Sequence, residues 1–346
     1  MMNIKEYRDI YVFCEIRDGK IHDASLELLG EANKLVSGRP NLGYKVVGAI
    51  IGNVSDETLE QAGHHGAWKV INLRNEGITH YSTEIYTTLL SRMIDEVKPD
   101  ILLIPATVLG RDLAPRLAAR CDTGLTADAT KLEFDPENEN SSLLYVTRPA
   151  FGGNLFGTIV CENTRPQMTS IRPGVMEPLK SDATREFTVE RKEVEISGIK
   201  DSVKVLEVIP KPHKGVDIAK ADLIISGGRG IGDNFKILRE VADKIGAEVG
   251  ASRAVVDAGI MEKDVQVGQT GKTVRPKVYI ACGISGAVQH VAGMEKSDFI
   301  IAINKDPGAP IFKTANIGIL GDALEILPRL ADEIERIRQE IKKENA

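Results

Sequence analysis

The chain has 346 residues, 42% of them hydrophobic and 27% charged, with 32 glycines and an aromatic share of 5%, the composition of a globular α/β protein and not of a fibrous or disordered one. That length exceeds one ordinary core and suits two domains. A formal net charge of -6 argues against a nucleic-acid-binding face, which wants basic charge, and no apolar run nears the ~20 residues of a membrane span. The start, Met1-Met2-Asn3-Ile4-Lys5-Glu6, lacks the hydrophobic stretch of a signal peptide, so a cytoplasmic location is expected. Cys14, Cys121, Cys161 and Cys282 stand too far apart for a zinc ribbon or an iron–sulfur cluster, and reduced, mostly buried thiols are expected.

Residues 10–14 form an apolar run of strand length, and Asp18-Gly19 follows as a turn signal. Over 24–36, Ala24, Leu28, Leu29, Ala32, Leu35 and Val36 recur at helical spacing, with Asp23 placed as the cap. Residues 45–51 and 68–73 read as buried strands, 83–97 as a helix that Pro99 stops, and 101–105 as a central strand. A helix over 110–120 comes next, with Arg111 and Asp112 at its amino end. This alternation predicts right-handed βαβ crossovers and a mostly parallel sheet.

The pattern then changes. The short runs 143–147, 155–161 and 168–172 have no helices between them, which predicts antiparallel strands on the edge of the first sheet. Between 178 and 204, Phe187, Val189, Val194 and Ile196 are separated by charges, as in a more exposed strand. A boundary near Ser202 divides the chain into domains 1–202 and 203–346. In the second, a strand at 222–226 enters the Gly-rich stretch 227–232, a helix covers 235–245, and strands restart at 248–249, 278–281 and 299–303. A closing helix over 323–343 carries Leu324, Leu327, Leu330, Ile334 and Ile337 as one apolar stripe.

Chemistry-bearing residues gather between 250 and 290, where strands end, and in an open α/β sheet that is where ligands bind. Gly228, Gly230 and Gly232 are followed by Asp233, so the spacing is not a dinucleotide fingerprint, and a tight turn fits as well as a ligand loop. Ser285-Gly286-Ala287 makes a second small-residue turn ahead of Gln289 and His290, a histidine that suits either a structural or a ligand-facing role. Val267-Gly268-Gln269-Thr270-Gly271 is a third such loop, with Lys272 and Arg275 adding positive charge. Asn304 and Asp322 end the next two strand-like runs, where polar side chains meet a ligand or cap a turn. There is no nucleophile elbow, no His-x-x-x-His and no carboxylate pair at metal spacing. Nucleotide-type loops without hydrolytic machinery favour a bound cofactor that does the chemistry itself.

Five ordered stretches carry a resemblance. Ser226-Gly227-Gly228-Arg229-Gly230, Ser252-Arg253-Ala254, 266–272, 282–290 and, in the first half, Gly110-Arg111-Asp112-Leu113-Ala114-Pro115-Arg116 resemble the electron transfer flavoprotein α subunit, and the likeness extends to Asn304 and Gly321-Asp322. The resemblance implies an α/β chain with an N-terminal nucleotide-hydrolase-like parallel sheet, extra antiparallel strands, and a C-terminal Rossmann-like FAD-binding domain. It implies a heterodimer with a β subunit that the N-terminal domain contacts. It implies FAD contacts from Arg229, Ser252, Arg253, Val267, Gly268, Gln269, Thr270, Ser285, Gly286, Ala287, Val288, Gln289, His290, Asn304 and Asp322. Arg253 and Thr270 would lie near the reactive edge of the isoalloxazine and His290 near its pyrimidine carbonyl. One cation ~4 Å away at an effective dielectric near 20 is worth up to ~4 kcal/mol, enough to move a one-electron potential by more than ~100 mV, and Arg253 is the expected cation.

Residues 123–128 and 148–154 are similar to the anaerobic, electron-bifurcating branch. That likeness implies NADH as donor and a second FAD held mainly by the β subunit. Ferredoxin or flavodoxin would be one acceptor and an acyl-CoA dehydrogenase the other. Conventional members instead hold AMP there and accept electrons from acyl-CoA dehydrogenases. Two other classes compete: an NAD-linked dehydrogenase using 227–232, which would bind pyridine nucleotide and show no yellow colour, and an adenine-nucleotide sensor in the first domain.

Overall fold

In the computed structural model, which describes residues 3–150, 155–203, 205–209 and 217–344, the first apolar run is the strand Arg8–Phe13 (β1), buried on both faces from Ile10 onward. A small hairpin, Ile16–Arg17 (β2) with Lys20–Ile21 (β3), leads into the helix Asp23–Gly38 (α1). The cap of α1 is His22, whose Nδ1 accepts the Ala24 N–H at 3.1 Å, and not Asp23, which already lies inside the first turn. The alternation continues through Val46–Ile51 (β4), Asp56–His64 (α2), Lys69–Arg74 (β5), Thr83–Val97 (α3), Pro99–Pro105 (β6) and Val108–Arg120 (α4). Lys98, in a left-handed conformation (φ 48), ends α3. Pro99 is therefore the first residue of a strand and not the helix stop, a position where a missing N–H costs little.

The remaining strands of this unit are Leu125–Ala129 (β7), Lys131–Phe134 (β8), Leu144–Ala150 (β9), Leu155–Ile159 (β10), Gln167–Ile171 (β11) and Thr188–Glu193 (β12). Among the described residues antiparallel pairing is confined to the small hairpin and to β8, β9 and β10, which form a separate three-stranded sheet. The run at 168–172 is not antiparallel: it is β11, inserted parallel between β6 and β7 with all five residues buried. Its polar side chains disguise it, and each is bonded inside the fold. Thr169 Oγ1 donates to the Thr126 carbonyl at 2.9 Å, Ser170 Oγ accepts the Asp128 N–H at 3.1 Å, and Gln167 Nε2 donates to the Ser142 carbonyl at 2.9 Å. The seven-stranded sheet runs β12-β5-β4-β1-β6-β11-β7 and is parallel throughout, with the half-exposed β12 at its edge.

Alternate residues of β1 feed two cores. Ile10 and Val12 pack with Leu28 and Leu29 of α1 and Leu59 of α2; Tyr11 and Phe13 pack with Leu90 and Met93 of α3 and Leu113 and Leu117 of α4. Each such buried leucine stabilises the unit by about 2 kcal/mol relative to an exposed one.

The second unit, described from residue 217, has its own parallel sheet: Leu223–Gly227 (β13), Glu248–Ala251 (β14), Val278–Cys282 (β15), Phe299–Asn304 (β16) and Ile317–Leu320 (β17), in the order β14-β13-β15-β16-β17. Its helices are Phe235–Ile245 (α5), Arg253–Asp257 (α6), Val288–Val291 (α7) and Ala323–Glu344 (α8). Ile225, Ile280 and Ile303 face α5 and α8, while Ile224, Tyr279 and Ala281 face Val267, Met294 and Ile311. The stripe on α8 is buried at Leu327 and has left the core at Ile337, 42% exposed. Of the four thiols, Cys14 and Cys282 are buried and Cys121 and Cys161 are half-buried, all four free.

Candidate functional site

The chain passes from β13 to β14 on one side and then returns to β15 on the other, so the direction of winding reverses between β13 and β15. Loops leaving two such strands diverge and leave a crevice at their carboxyl ends. Here the crevice is a cavity of about 570 Å³, bordered by the loops after β13, β14, β15 and β16, within the usual range for a small-molecule site. A fifth segment, 266–272, closes one wall. Val267 N–H bonds the Ala251 carbonyl at 2.9 Å, Lys272 N–H the Gln266 carbonyl at 2.7 Å, and Gln269 N–H the Gln289 carbonyl at 2.7 Å.

The stretch 227–232 does not run straight into a helix. Arg229–Ile231 is a 3-10 turn ahead of α5, and the loops after β13 and β15 meet backbone to backbone. Gly228 N–H bonds the Cys282 carbonyl at 2.8 Å and Gly230 N–H the Gly283 carbonyl at 3.0 Å. The turn after Ala287 is equally short, since α7 has four residues.

Twelve of the fifteen residues named from the resemblance border this cavity: Arg229, Ser252, Arg253, Val267, Gly268, Gln269, Thr270, Ser285, Ala287, Gln289, His290 and Asn304. Gly286, Val288 and Asp322 do not. Gly286 packs beneath the loop, where a Cβ would stand 2.2 Å from the Ile311 nitrogen. Asp322 caps α8: Oδ1 accepts the Leu324 N–H at 2.9 Å and Oδ2 pairs with Lys305 at 2.8 Å, which holds its carboxyl below the usual range. Asn304 keeps its loop in place by donating to the Ile284 carbonyl at 2.9 Å and accepting the Asp306 N–H at 3.0 Å. Cavity residues outside those fifteen include Gly228 and Gln266, which belong to the resembling stretches, and Asp257 and Asp306, which do not. Asp257 was within reach, because it stands four residues after Arg253.

Buried Ser252, Gln266, Val267 and His290 line the inner part, while Arg229, Arg253 and Thr270 are exposed at its border. Thr270 Oγ1 accepts from Gln266 Nε2 at 2.9 Å. Arg253 Nε lies 3.2 Å from Asp257 Oδ2, and the two side chains are 65% and 62% exposed. His290 Nε2 is 3.0 Å from the Tyr279 hydroxyl. Burial pushes the His290 pKa down to about 4, opposed by the Val267 backbone beside it. Ser252 Oγ and His290 Nδ1 are buried and have no partner in hydrogen-bond geometry among the described residues. Buried polar atoms are nearly always satisfied, so two unsatisfied ones beside a single cavity point to a ligand that completes them.

In the first unit the corresponding reversal lies between β1 and β6. Glu15 fills it: 2% exposed, its carboxylate takes a hydrogen bond from Thr107 Oγ1, at the cap of α4, and pairs with Arg17 at 3.1 Å. A nucleotide phosphate there would meet a carboxylate of like charge. Of the two stretches tied to the bifurcating branch, 123–128 places Asp128 against Arg172 at 2.5 Å and Arg111 at 3.7 Å; in the other, residues 151–154 lie outside the described residues. Among the described residues no helix is long and apolar enough to cross a membrane.

Comparison with known proteins agrees with this geometry. The family model for the electron transfer flavoprotein domain matches residues 10–197, and that for the electron transfer flavoprotein FAD-binding domain matches 217–295. The electron transfer flavoprotein subunit alpha of Thermoanaerobacterium thermosaccharolyticum is 47% identical, covering 97% of this chain and 100% of that one. The chain belongs to the electron transfer flavoprotein α-subunit family. The acryloyl-CoA reductase electron transfer subunit beta of Anaerotignum propionicum is 42% identical over 96% of this chain and 97% of its own. The lactate dehydrogenase (NAD(+),ferredoxin) subunit LctC of Acetobacterium woodii is 41% identical over 95% and 77%. The second unit of this electron transfer flavoprotein subunit is thus a flavin-binding domain. Its cavity fits a flavin, with unsatisfied polar atoms on the floor and arginines at the border.

Proposed function

We propose that the chain is the FAD-carrying subunit of a heterodimeric electron transfer flavoprotein, and that it serves a bifurcating complex. In that complex electrons from NADH divide between ferredoxin or flavodoxin and an acyl-CoA dehydrogenase, and the β subunit holds a second FAD where conventional members hold AMP. The observation that carries the FAD assignment is the cavity at the β13/β15 reversal, with Ser252 Oγ and His290 Nδ1 unsatisfied beside it. When bound, FAD supplies the electron transfer itself. The protein's part is to bind and tune it. Ser252 and His290 would hydrogen-bond the cofactor, with His290 as a neutral partner, Thr270 and Gln269 would orient it, and Arg229 and Arg253 would supply positive charge. Support for bifurcation comes from the names of relatives, one joining NAD(+) to ferredoxin and another naming an acryloyl-CoA reductase.

An anaerobic NADH titration of the chain purified with its β subunit tests this reading by visible absorption. Two flavins bleached per heterodimer are expected. One flavin that ignores NADH would overturn bifurcation and place the chain with carriers fed by acyl-CoA dehydrogenases.

The role of Arg253 has its own test. Because it is largely exposed and faces Asp257, its effect is smaller than that of an unpaired buried cation, and an exposed charge contributes up to about 1 kcal/mol, or up to about 40 mV on a one-electron couple. Arg253→Ala is expected to lower the flavin midpoint by that order and Asp257→Asn to raise it. Spectroelectrochemistry showing both variants moving the same way would remove the charge argument.

A further inference from the structure

Behind the cavity floor lies a polar pair that the proposed cofactor contacts do not explain. Tyr279, in the middle strand β15, is 0% exposed and packs in an apolar cluster with Ile224, Ala281 and Met294. A phenylalanine would fill nearly the same space without burying a hydroxyl, a group that is costly to bury unless it is bonded. The one hydrogen bond of that hydroxyl among the described residues is to His290 Nε2, at 3.0 Å.

Its direction follows from counting protons. A neutral imidazole carries one proton on two nitrogens, and burial keeps His290 neutral. If Nε2–H donated to the tyrosine oxygen, the phenolic proton would need another acceptor. Ser226 Oγ, also fully buried, stands close enough to the phenol to favour its ionised form, as a donor and not an acceptor would, yet it meets no partner in hydrogen-bond geometry. The phenol therefore donates to Nε2, and the imidazole proton sits on Nδ1, the nitrogen left without a partner.

We propose that Tyr279 is a positioning residue of the flavin site: by donating to Nε2 it holds His290 in the Nδ1–H tautomer, so that the ring offers the flavin a neutral donor and not a lone pair. The inference rests on His290 being a flavin contact. A carbonyl oxygen is an acceptor only, so the other tautomer would set two lone pairs against each other, and the tyrosine decides between attraction and repulsion.

The test uses the chain labelled with ¹⁵N-histidine and purified with its β subunit, with His290→Gln serving to assign the ring signals. In the flavin-stripped wild-type complex, long-range ¹H–¹⁵N spectra are expected to show His290 protonated at Nδ1; protonation at Nε2 would overturn the proposal without any variant being needed. In Tyr279→Phe the tautomer ratio is expected to shift about fivefold toward Nε2–H, the effect of one lost hydrogen bond, with the backbone amide spectrum otherwise preserved. An unchanged ratio would overturn it. With flavin restored, Tyr279→Phe is expected to bind it about fivefold more weakly and to lower its midpoint. A ratio that shifts while affinity and midpoint stay fixed would leave the Tyr279–His290 bond standing and refute His290 as a flavin contact, and with it the positioning role.

Discussion

Gly228→Ala is expected to yield a chain that purifies without flavin and unfolds at a clearly lower temperature. Gly228 has ordinary extended backbone angles (φ -104, ψ -173), so the requirement here is space and not conformational freedom. A Cβ at that position would lie 2.3 Å from the Gly283 carbonyl oxygen and 2.8 Å from Ile284 Cα. Both are backbone atoms of the loop after β15, which cannot rotate away as a side chain would. The loops after β13 and β15 would have to separate, and with them the crevice between the strands on either side of the winding reversal. Overpacking of this kind costs about 1–3 kcal/mol, concentrated where the cofactor binds. Gly232→Ala is the control. Gly232 needs a positive φ (58), but a Cβ there meets nothing within 4 Å. Its cost is about 1 kcal/mol of backbone strain, with flavin retained. Visible absorbance per chain and thermal unfolding of the two variants separate the effects; equal flavin content in both would show that the loop contact does not shape the site.

The contrast between these glycines shows where the amino-acid order was legible. The apolar runs at 10–14, 45–51 and 101–105 announced buried parallel strands because strands covered on both faces have no polar face to display. β11 escaped for the opposite reason: Gln167, Thr169 and Ser170 look like surface residues until their partners on neighbouring segments are known. Asp322 shows the same limit: a polar residue after a strand suits a ligand contact or a cap, and only the fold shows its carboxylate bonded to Leu324 N–H and paired with Lys305. Gly-rich spacing at 227–232 left turn and ligand loop undecided, because what separates them is the approach of Gly283, more than fifty residues away. Cofactor identity came from resemblance; periodicity and spacing indicated only that strand ends carry small and polar residues. Tyr279 gave no local signal at all, since a tyrosine in an apolar strand reads as core, and its hydroxyl acquires a role only once α7 brings His290 to it.

Between pH 6.5 and about 4 the flavin-free protein is expected to lose about 3 kcal/mol of stability through His290 alone. The folded pKa of His290 is pushed down to about 4 from an ordinary 6.5, chiefly because burial penalises the imidazolium, with the Val267 backbone opposing. In that window the unfolded chain binds a proton that the folded chain refuses, so stability rises with pH. The contribution is fully present above 6.5, falls by about 1.4 kcal/mol per unit as the pH drops, and stops changing below the folded value. Carboxylates such as Asp217 and Asp322, which their lysine partners hold below the usual range, add acid sensitivity of their own, but they do so equally in His290→Gln. Urea unfolding of both proteins across this range isolates the histidine: the difference between their curves should grow from neutral pH down to about pH 4 and then level off. Parallel curves would mean that the imidazole reaches water or an acceptor when protonated, and that the ring behind the flavin cavity is not the neutral donor its burial requires. A neutral ring also predicts that flavin affinity shows no histidine step between pH 5 and 8, since the group offered to the cofactor keeps its charge throughout.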